Sequence, residues 1–219
     1  MIKKLFVTAL VCTLPVSAVA QLSDVPDAPK VDVKYLIYLH GIGIEKVGVW
    51  KANEDYRGIV KAFEKQGFIV ISEVRSSDTK PNEYGKKVAS QVKALSTRGV
   101  PPENITVVGY SKGGLITLWA AAAGDNPKVN YVVLAGCVQK GSEFYSTYAS
   151  NVAPKMKGRI LSMYDAADPD RGTCKDFFAA AGDKVTGKEI KFETGEGHGL
   201  FRKPVDQWVN PLAEWANGK

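Results

Sequence analysis

The chain has 219 residues, 45% of them hydrophobic and 24% charged, with a formal net charge of +6. That length suits one domain. The charges are interspersed and form no arginine-rich stripe, which reads as a solvated surface and argues against a nucleic-acid partner. Hydrophobic runs after residue 20 are only strand-length, so no stable membrane insertion is expected.

Residues 1–20 read as a secretory signal peptide. Lys3 and Lys4 give a basic start, Leu5 to Val11 is apolar, and Ala18-Val19-Ala20 is a small-residue cleavage site. The apolar run is short for a membrane anchor and is broken by Thr8, Thr13 and Pro15. Val11 stands before Cys12 where a lipoprotein signal wants a small residue. Cleavage after Ala20 would send the chain to the periplasm or the medium and leave 199 residues with a net charge of +4. Such a chain can bury about 70% of its unfolded surface. Its two remaining cysteines, Cys137 and Cys174, fall at strand ends or in the loops after them and read as a disulfide in an oxidising compartment.

Residues 21–33 contain Pro26 and Pro29 and no periodicity, and read as a partly mobile N-terminal arm. A single domain over 34–219 follows. Tyr35 to Leu39 is a strand ending in His40-Gly41-Ile42-Gly43. After a loop, Tyr56, Ile59, Val60 and Phe63 mark one face of a helix that Gly67 stops. Phe68 to Val74 is the second strand. Asn82 can cap a helix with Tyr84, Val88, Val92 and Leu95 on its inner face.

Ile105 to Val108 is the third strand, and Leu115 to Ala123 a buried helix. Tyr131 to Ala135, Arg159 to Met163 and Lys188 to Glu193 are further strands. Pro204 opens a last helical region in which Pro211 marks a kink or a fresh start capped by Asn210. Strands alternating with helices predict an α/β fold, a three-layer α/β/α sandwich on a mostly parallel sheet of about six strands. In such open sheets ligands sit outside the carboxyl ends of the strands.

Gly109-Tyr110-Ser111-Lys112-Gly113 stands between the third strand and its helix. A strand reversing directly into a helix strains its apex residue and brings the positions two before and two after it too close to backbone for a Cβ. The serine hydroxyl is left clear, beside the N–H groups of a helix N-terminus that favour negative charge. This is the G-x-S-x-G pattern of a nucleophile elbow.

A serine needs a base, and the chain has two histidines. His198, among glycines in Gly195-Glu196-Gly197-His198-Gly199 after the last strand, is the better placed. The base needs an orienting acid, and Asp165, Asp168 and Asp170 follow the fifth strand. Asp168 is preferred because the loop carries it past the strand end, with Asp165 as the alternative. No metal is expected, since the histidines lack a zinc-binding spacing. No cofactor is expected either, because Lys46 stands where a dinucleotide fingerprint wants its third glycine.

The order Ser111, Asp168, His198, with the His-Gly loop at 40–43, resembles the α/β-hydrolase fold over nearly all of 34–217. No strand is predicted before Tyr35, so the sheet should have about six strands where larger members have eight. The resemblance implies an oxyanion hole of two backbone N–H groups, one from Lys112 and one from the Gly41-Ile42 loop, most naturally Ile42. It makes His40 a structural histidine bracing that loop. Lys112 is unusual beside the serine; its ammonium is expected to pair with Glu45, or only its backbone to act.

Between the fourth and fifth strands, where such folds insert a cap, 138–158 would form a minimal flap. Its Phe144, Tyr145 and Tyr148 line a substrate pocket or else merely cover the sheet edge. The resemblance implies an exported serine hydrolase acting on a small ester or acyl substrate. Thioesterase, peptidase, acyltransferase and a non-catalytic binding protein stay open.

Overall fold

The structure, a computed structural model, describes residues 21–218; the signal-peptide reading of 1–20 lies outside them. In chain order the elements are β1 (Lys34–Leu39), α1 (Ile42–Val47), α2 (Tyr56–Lys65), β2 (Phe68–Ile71), α3 (Pro81–Thr97), β3 (Ile105–Tyr110) and α4 (Lys112–Ala123). They continue through β4 (Asn130–Leu134), α5 (Tyr145–Thr147), β5 (Gly158–Asp165), α6 (Lys175–Ala181), β6 (Val185–Phe192) and α7 (Asp206–Ala216). The strands form one sheet in the order β2-β1-β3-β4-β5-β6, every neighbouring pair parallel.

Both faces of the sheet are covered, and the alternation along each strand shows how. Tyr35, Ile37 and Leu39 of β1 join Ile105 and Val107 of β3 against α3, α4 and α6. Leu36 and Tyr38 join Val108 and Tyr110 against α2 and α7. A strand buried on both faces reads as a continuous apolar run, as these do.

The strand order sets the place of any site. The chain leaves β1 in one direction to β2 and returns on the other side to β3. The carboxyl ends of β1 and β3 therefore flank a switch point, where ligands of open α/β sheets bind. The register keeps these ends level, with Leu39 opposite Gly109 and Tyr110 opposite Leu134.

Several elements differ from the sequence reading. α1 is a helix where two nearby glycines suggested a loop. α6 was not anticipated. α3 begins two residues earlier than an Asn82 cap would give, because Pro81 takes its first position without needing an N–H partner. α7 runs through Pro211 without a restart, held by buried Trp208, Leu212 and Trp215. β2 ends at Ile71, and Ser72 after it donates its N–H to Leu22 O at 2.8 Å and its hydroxyl to Tyr38 O at 2.8 Å. The arm at 21–33 is tied down: Leu22 pairs along the open edge of β2, its N–H donating to Val70 O at 2.9 Å, and Arg98 donates to Pro26 O at 2.8 Å.

The second half of the 138–158 segment packs into the core, while most of 139–147 is exposed. Tyr148, Val152, Ala153 and Met156 are buried with α4 residues such as Leu115 and Leu118. They cover the sheet face where a crossover helix would stand. Tyr148 packs on Trp119 and Phe177, with ring centroids 6.1 and 6.5 Å away. Tyr145 lies 5.7 Å from Phe177 and donates its hydroxyl to Asp176 at 2.7 Å. Of the two readings left open for these tyrosines, the ring contacts with Phe177 fit cover of the sheet edge. Phe144 alone of the three stays exposed.

Cys137 and Cys174 form a disulfide, with Cα atoms 5.4 Å apart across a sequence separation of 37. It ties the segment after β4 to the loop after β5, and Gly172 N–H adds a bond to Cys137 O at 3.1 Å. By loop-closure entropy, replacing both cysteines with serine should cost about 4 kcal/mol of stability. Urea unfolding of the two proteins measures this; an unchanged midpoint would contradict it.

Candidate active site

β3 delivers Ser111 at the turn into α4. Its φ of 56° and ψ of −114° lie in a region that non-glycine residues avoid. The turn is possible because its neighbours lack side chains. A Cβ on Gly109 would lie 2.1 Å from Gly113 O, and one on Gly113 would lie 1.9 Å from Leu39 O. Ser111 N–H is held by Leu134 O at 2.9 Å, and its hydroxyl does not cap the helix it precedes.

The hydroxyl faces His198 instead, with Oγ 2.8 Å from Nε2. The other ring nitrogen, Nδ1, lies 2.6 Å from Asp168 Oδ2. Asp168 Oδ1 accepts the N–H groups of Asp170 and Arg171 at 3.0 and 3.1 Å. Burial alone would push this carboxyl up. The His198 bond and those two N–H groups outweigh it and hold its pKa below the ordinary aspartate value. An ionised Asp168 only accepts, so Nδ1 carries the ring proton and Nε2 is left facing Ser111.

His198 enters on a short helical turn, 197–202, anchored by buried Leu200 and Phe201. Tyr110 donates its hydroxyl to His198 O at 2.8 Å, and the two rings lie 5.2 Å apart. The imidazole is thus fixed from the strand that carries the serine.

Asp165, the alternative acid, does not reach His198. Its Oδ2 accepts the N–H and hydroxyl of Thr194 at 2.8 and 2.6 Å, and its Oδ1 accepts Ala167 N–H at 2.9 Å and Gly197 N–H at 3.3 Å. It joins the acid loop to the histidine loop. Burial works against its charge, and these donors outweigh burial and lower its pKa.

On the other side of Ser111, Ile42 and Lys112 are the first residues of α1 and α4. The N–H of a first helical residue has no carbonyl one turn back to accept it, so neither is committed within its helix. Gly41, named with Ile42 as a donor, is corrected: its N–H donates to Glu54 Oε2 at 2.9 Å. Glu54 Oε1 accepts Tyr38 Oη–H at 2.7 Å.

His40 is fully buried and braces the same loop. Its Nε2 accepts Arg75 N–H at 3.0 Å and its Nδ1 lies 2.8 Å from Gly41 O, so the proton sits on Nδ1. Glu45 contacts both Lys112 Nζ and Arg75 Nε, the latter at 2.8 Å. Arg75, Glu54 and Thr194 carry no motif in the sequence, and Tyr110 fills a position that the elbow motif leaves free; Arg75 and Glu54 lie in loops with no periodicity.

No protein-family model matches this chain, and no curated protein matches it. Solved structures do. A sugar hydrolase of Lactococcus lactis superposes with a TM-score of 0.58 at 16% identity, covering 90% of this chain and 91% of that one. A Lactobacillus plantarum protein assigned as a carboxylesterase gives 0.59 at 17% identity, over 86% and 90%. A hyperthermophilic esterase of Pyrobaculum calidifontis gives 0.58 at 16% identity, over 85% and 76%. With the six-stranded parallel sheet and its flanking helices, these likenesses define an α/β-hydrolase fold. Among the described residues no group of His, Cys, Asp and Glu has the makings of a metal site, and no helix is long and apolar enough to cross a membrane.

Burial, and secondarily the Arg75 charge, push the His40 pKa from 6.5 down to about 3. Between those values the unfolded chain binds a proton that the folded chain refuses, so stability falls as pH falls. From pH 6.5 to 4 this should remove on the order of 3 kcal/mol. Urea titrations of wild type and His40→Gln across that range isolate the effect. The variant should be less stable at pH 7 but show a clearly shallower loss on acidification; equal slopes would contradict the assignment.

Proposed function

We propose that this protein is an exported serine hydrolase that cleaves small carboxylic esters through an acyl-enzyme. The observation that carries this reading is the continuous line from Ser111 Oγ through His198 to Asp168, at 2.8 and 2.6 Å, beginning at a helix N-terminus. The hydrolases and esterases among its structural neighbours support the same class of activity.

As Ser111 Oγ bonds to the ester carbonyl carbon, His198 Nε2 takes the hydroxyl proton. The carbonyl oxygen becomes an anion held by the N–H groups of Ile42 and Lys112, the interaction expected to contribute most to lowering the barrier. The tetrahedral adduct collapses, the C–O bond to the alcohol breaks, and His198 gives its proton to the leaving oxygen. Water then adds to the acyl carbon as His198 takes a proton from it. Collapse of that second adduct returns the proton to Ser111 and releases the carboxylic acid. Throughout, Asp168 fixes the imidazole tautomer and stabilises its positive form.

The substrate side is open. The second half of the segment expected to cap it is part of the core, and exposed apolar side chains follow the carboxyl ends of β1 and β2 at Ile42, Val47, Trp50 and Val74. This favours short acyl groups on an apolar alcohol or phenol over long chains that need a tunnel.

A fluorophosphonate probe should label wild type and not Ser111→Ala, and the substitution should cut kcat on a short aryl ester by at least about 10⁴-fold. Across aryl esters of increasing acyl length, kcat/KM should be highest for the short ones. A folded wild type that neither labels nor hydrolyses would sink the reading and leave a binding protein. Export is supported by the character of residues 1–20 and by the disulfide. Protein secreted from its host should have a mass beginning at Gln21; an intact N-terminus would contradict cleavage.

A further inference from the structure

The two N–H donors of the oxyanion site sit on different helices that follow different strands. The close approach of Gly113 to Leu39 and His40 brings the two helix starts together, and a side chain also spans them. Glu45 lies one turn along α1 from Ile42, with its side chain fully buried. Its Oε2 meets Nζ of Lys112, the residue whose backbone supplies the second donor. Its Oε1 accepts Arg75 Nε–H at 2.8 Å. Arg75, itself buried, donates through Nη2 to His40 O, directly before the Gly41-Ile42 segment.

We propose that Glu45 is a positioning residue for the oxyanion site: its carboxylate, bridging Lys112 and Arg75, sets the separation of the Ile42 and Lys112 N–H groups. The proposal rests on the hydrolase reading and assigns Glu45 no contact with substrate. Stability alone is a poor account of the bridge. Desolvating a carboxylate and a guanidinium is costly, and well-packed apolar residues of similar volume often serve as well or better. What apolar residues cannot do is fix two helix starts at one defined spacing through directional, charge-assisted bonds. The ammonium that completes the bridge belongs to the residue after the nucleophile, so a shift of Lys112 is transmitted to its N–H without an intermediary.

The test uses the full chain as wild type, Glu45→Gln, Lys112→Met and the double variant. Lys112→Met keeps the backbone N–H and removes only the ammonium. Its side chain is 14% exposed, so it should fold even if Glu45→Gln does not. Kinetics on a short aryl ester are read together with inhibition by a trifluoromethyl ketone, which forms the tetrahedral adduct.

Displacing one donor should lower kcat by roughly tenfold to a hundredfold with KM little changed. The inhibition constant of the ketone should rise by the same factor. The double variant should fall no further than the worse single one, because both break one bridge. Variants that lose thermal stability but keep wild-type kcat and ketone affinity would overturn the proposal while leaving the hydrolase reading intact. An inactive wild type would overturn both.

Discussion

A Cβ on Gly113 would lie 1.9 Å from the carbonyl oxygen of Leu39 and 2.9 Å from that of His40. Backbone there presses directly on backbone, and the site depends on that approach. It brings the first turn of α4 onto the end of β1, so that residues from two strands can face one reacting atom. Gly114 makes a similar approach to Gly136 beyond β4, where a Cβ would sit 2.7 Å from the neighbouring Cα. With these strand ends and one helix start meeting through bare backbone, Ser111 has no relaxed conformation available. Its positive φ is the consequence, and the strain of about 1–3 kcal/mol is carried by the packing around it.

Around this contact, buried carboxylates of similar chemistry have different tasks, set by their partners. Asp165 is surrounded by N–H and O–H donors and links two loops. Asp168 has backbone donors on one oxygen and an imidazole on the other, which leaves it free to orient a base. Glu54 takes the Gly41 N–H out of use. Glu45 sits between two cations. Sequence position ranks Asp168 ahead of Asp165 without separating their roles, since one ends β5 and the other lies three residues on. Geometry does, because a carboxylate has few lone pairs and each partner removes one from service.

Much of the fold was legible because its signals are local. Apolar runs that alternate with amphipathic helices specify a parallel sheet without any knowledge of tertiary contacts. The elbow was legible because steric exclusion writes glycine into the sequence at Gly109 and Gly113, and the scarcity of histidines narrowed the base to His198. The pairing of Glu45 with Lys112 could be anticipated from loop order. Arg75 could not: it reaches the site from the loop after β2, and only the strand order places that loop beside β1. Tyr145 and Tyr148 stay ambiguous in the sequence for a related reason. An aromatic residue between strands carries the same local signal over a substrate as over a sheet face, and here Phe177 on the distant α6 decides the matter.

The proposed mechanism requires Ser111 to become covalently acylated during turnover. Mixing the protein with an activated short-chain aryl ester, quenching in acid within the first turnovers and mapping the digest by mass spectrometry tests this directly. One acyl group is expected, on the peptide that carries Ser111. Hydrolysis that proceeds with no acylated peptide, or with the acyl group on another residue, would contradict it.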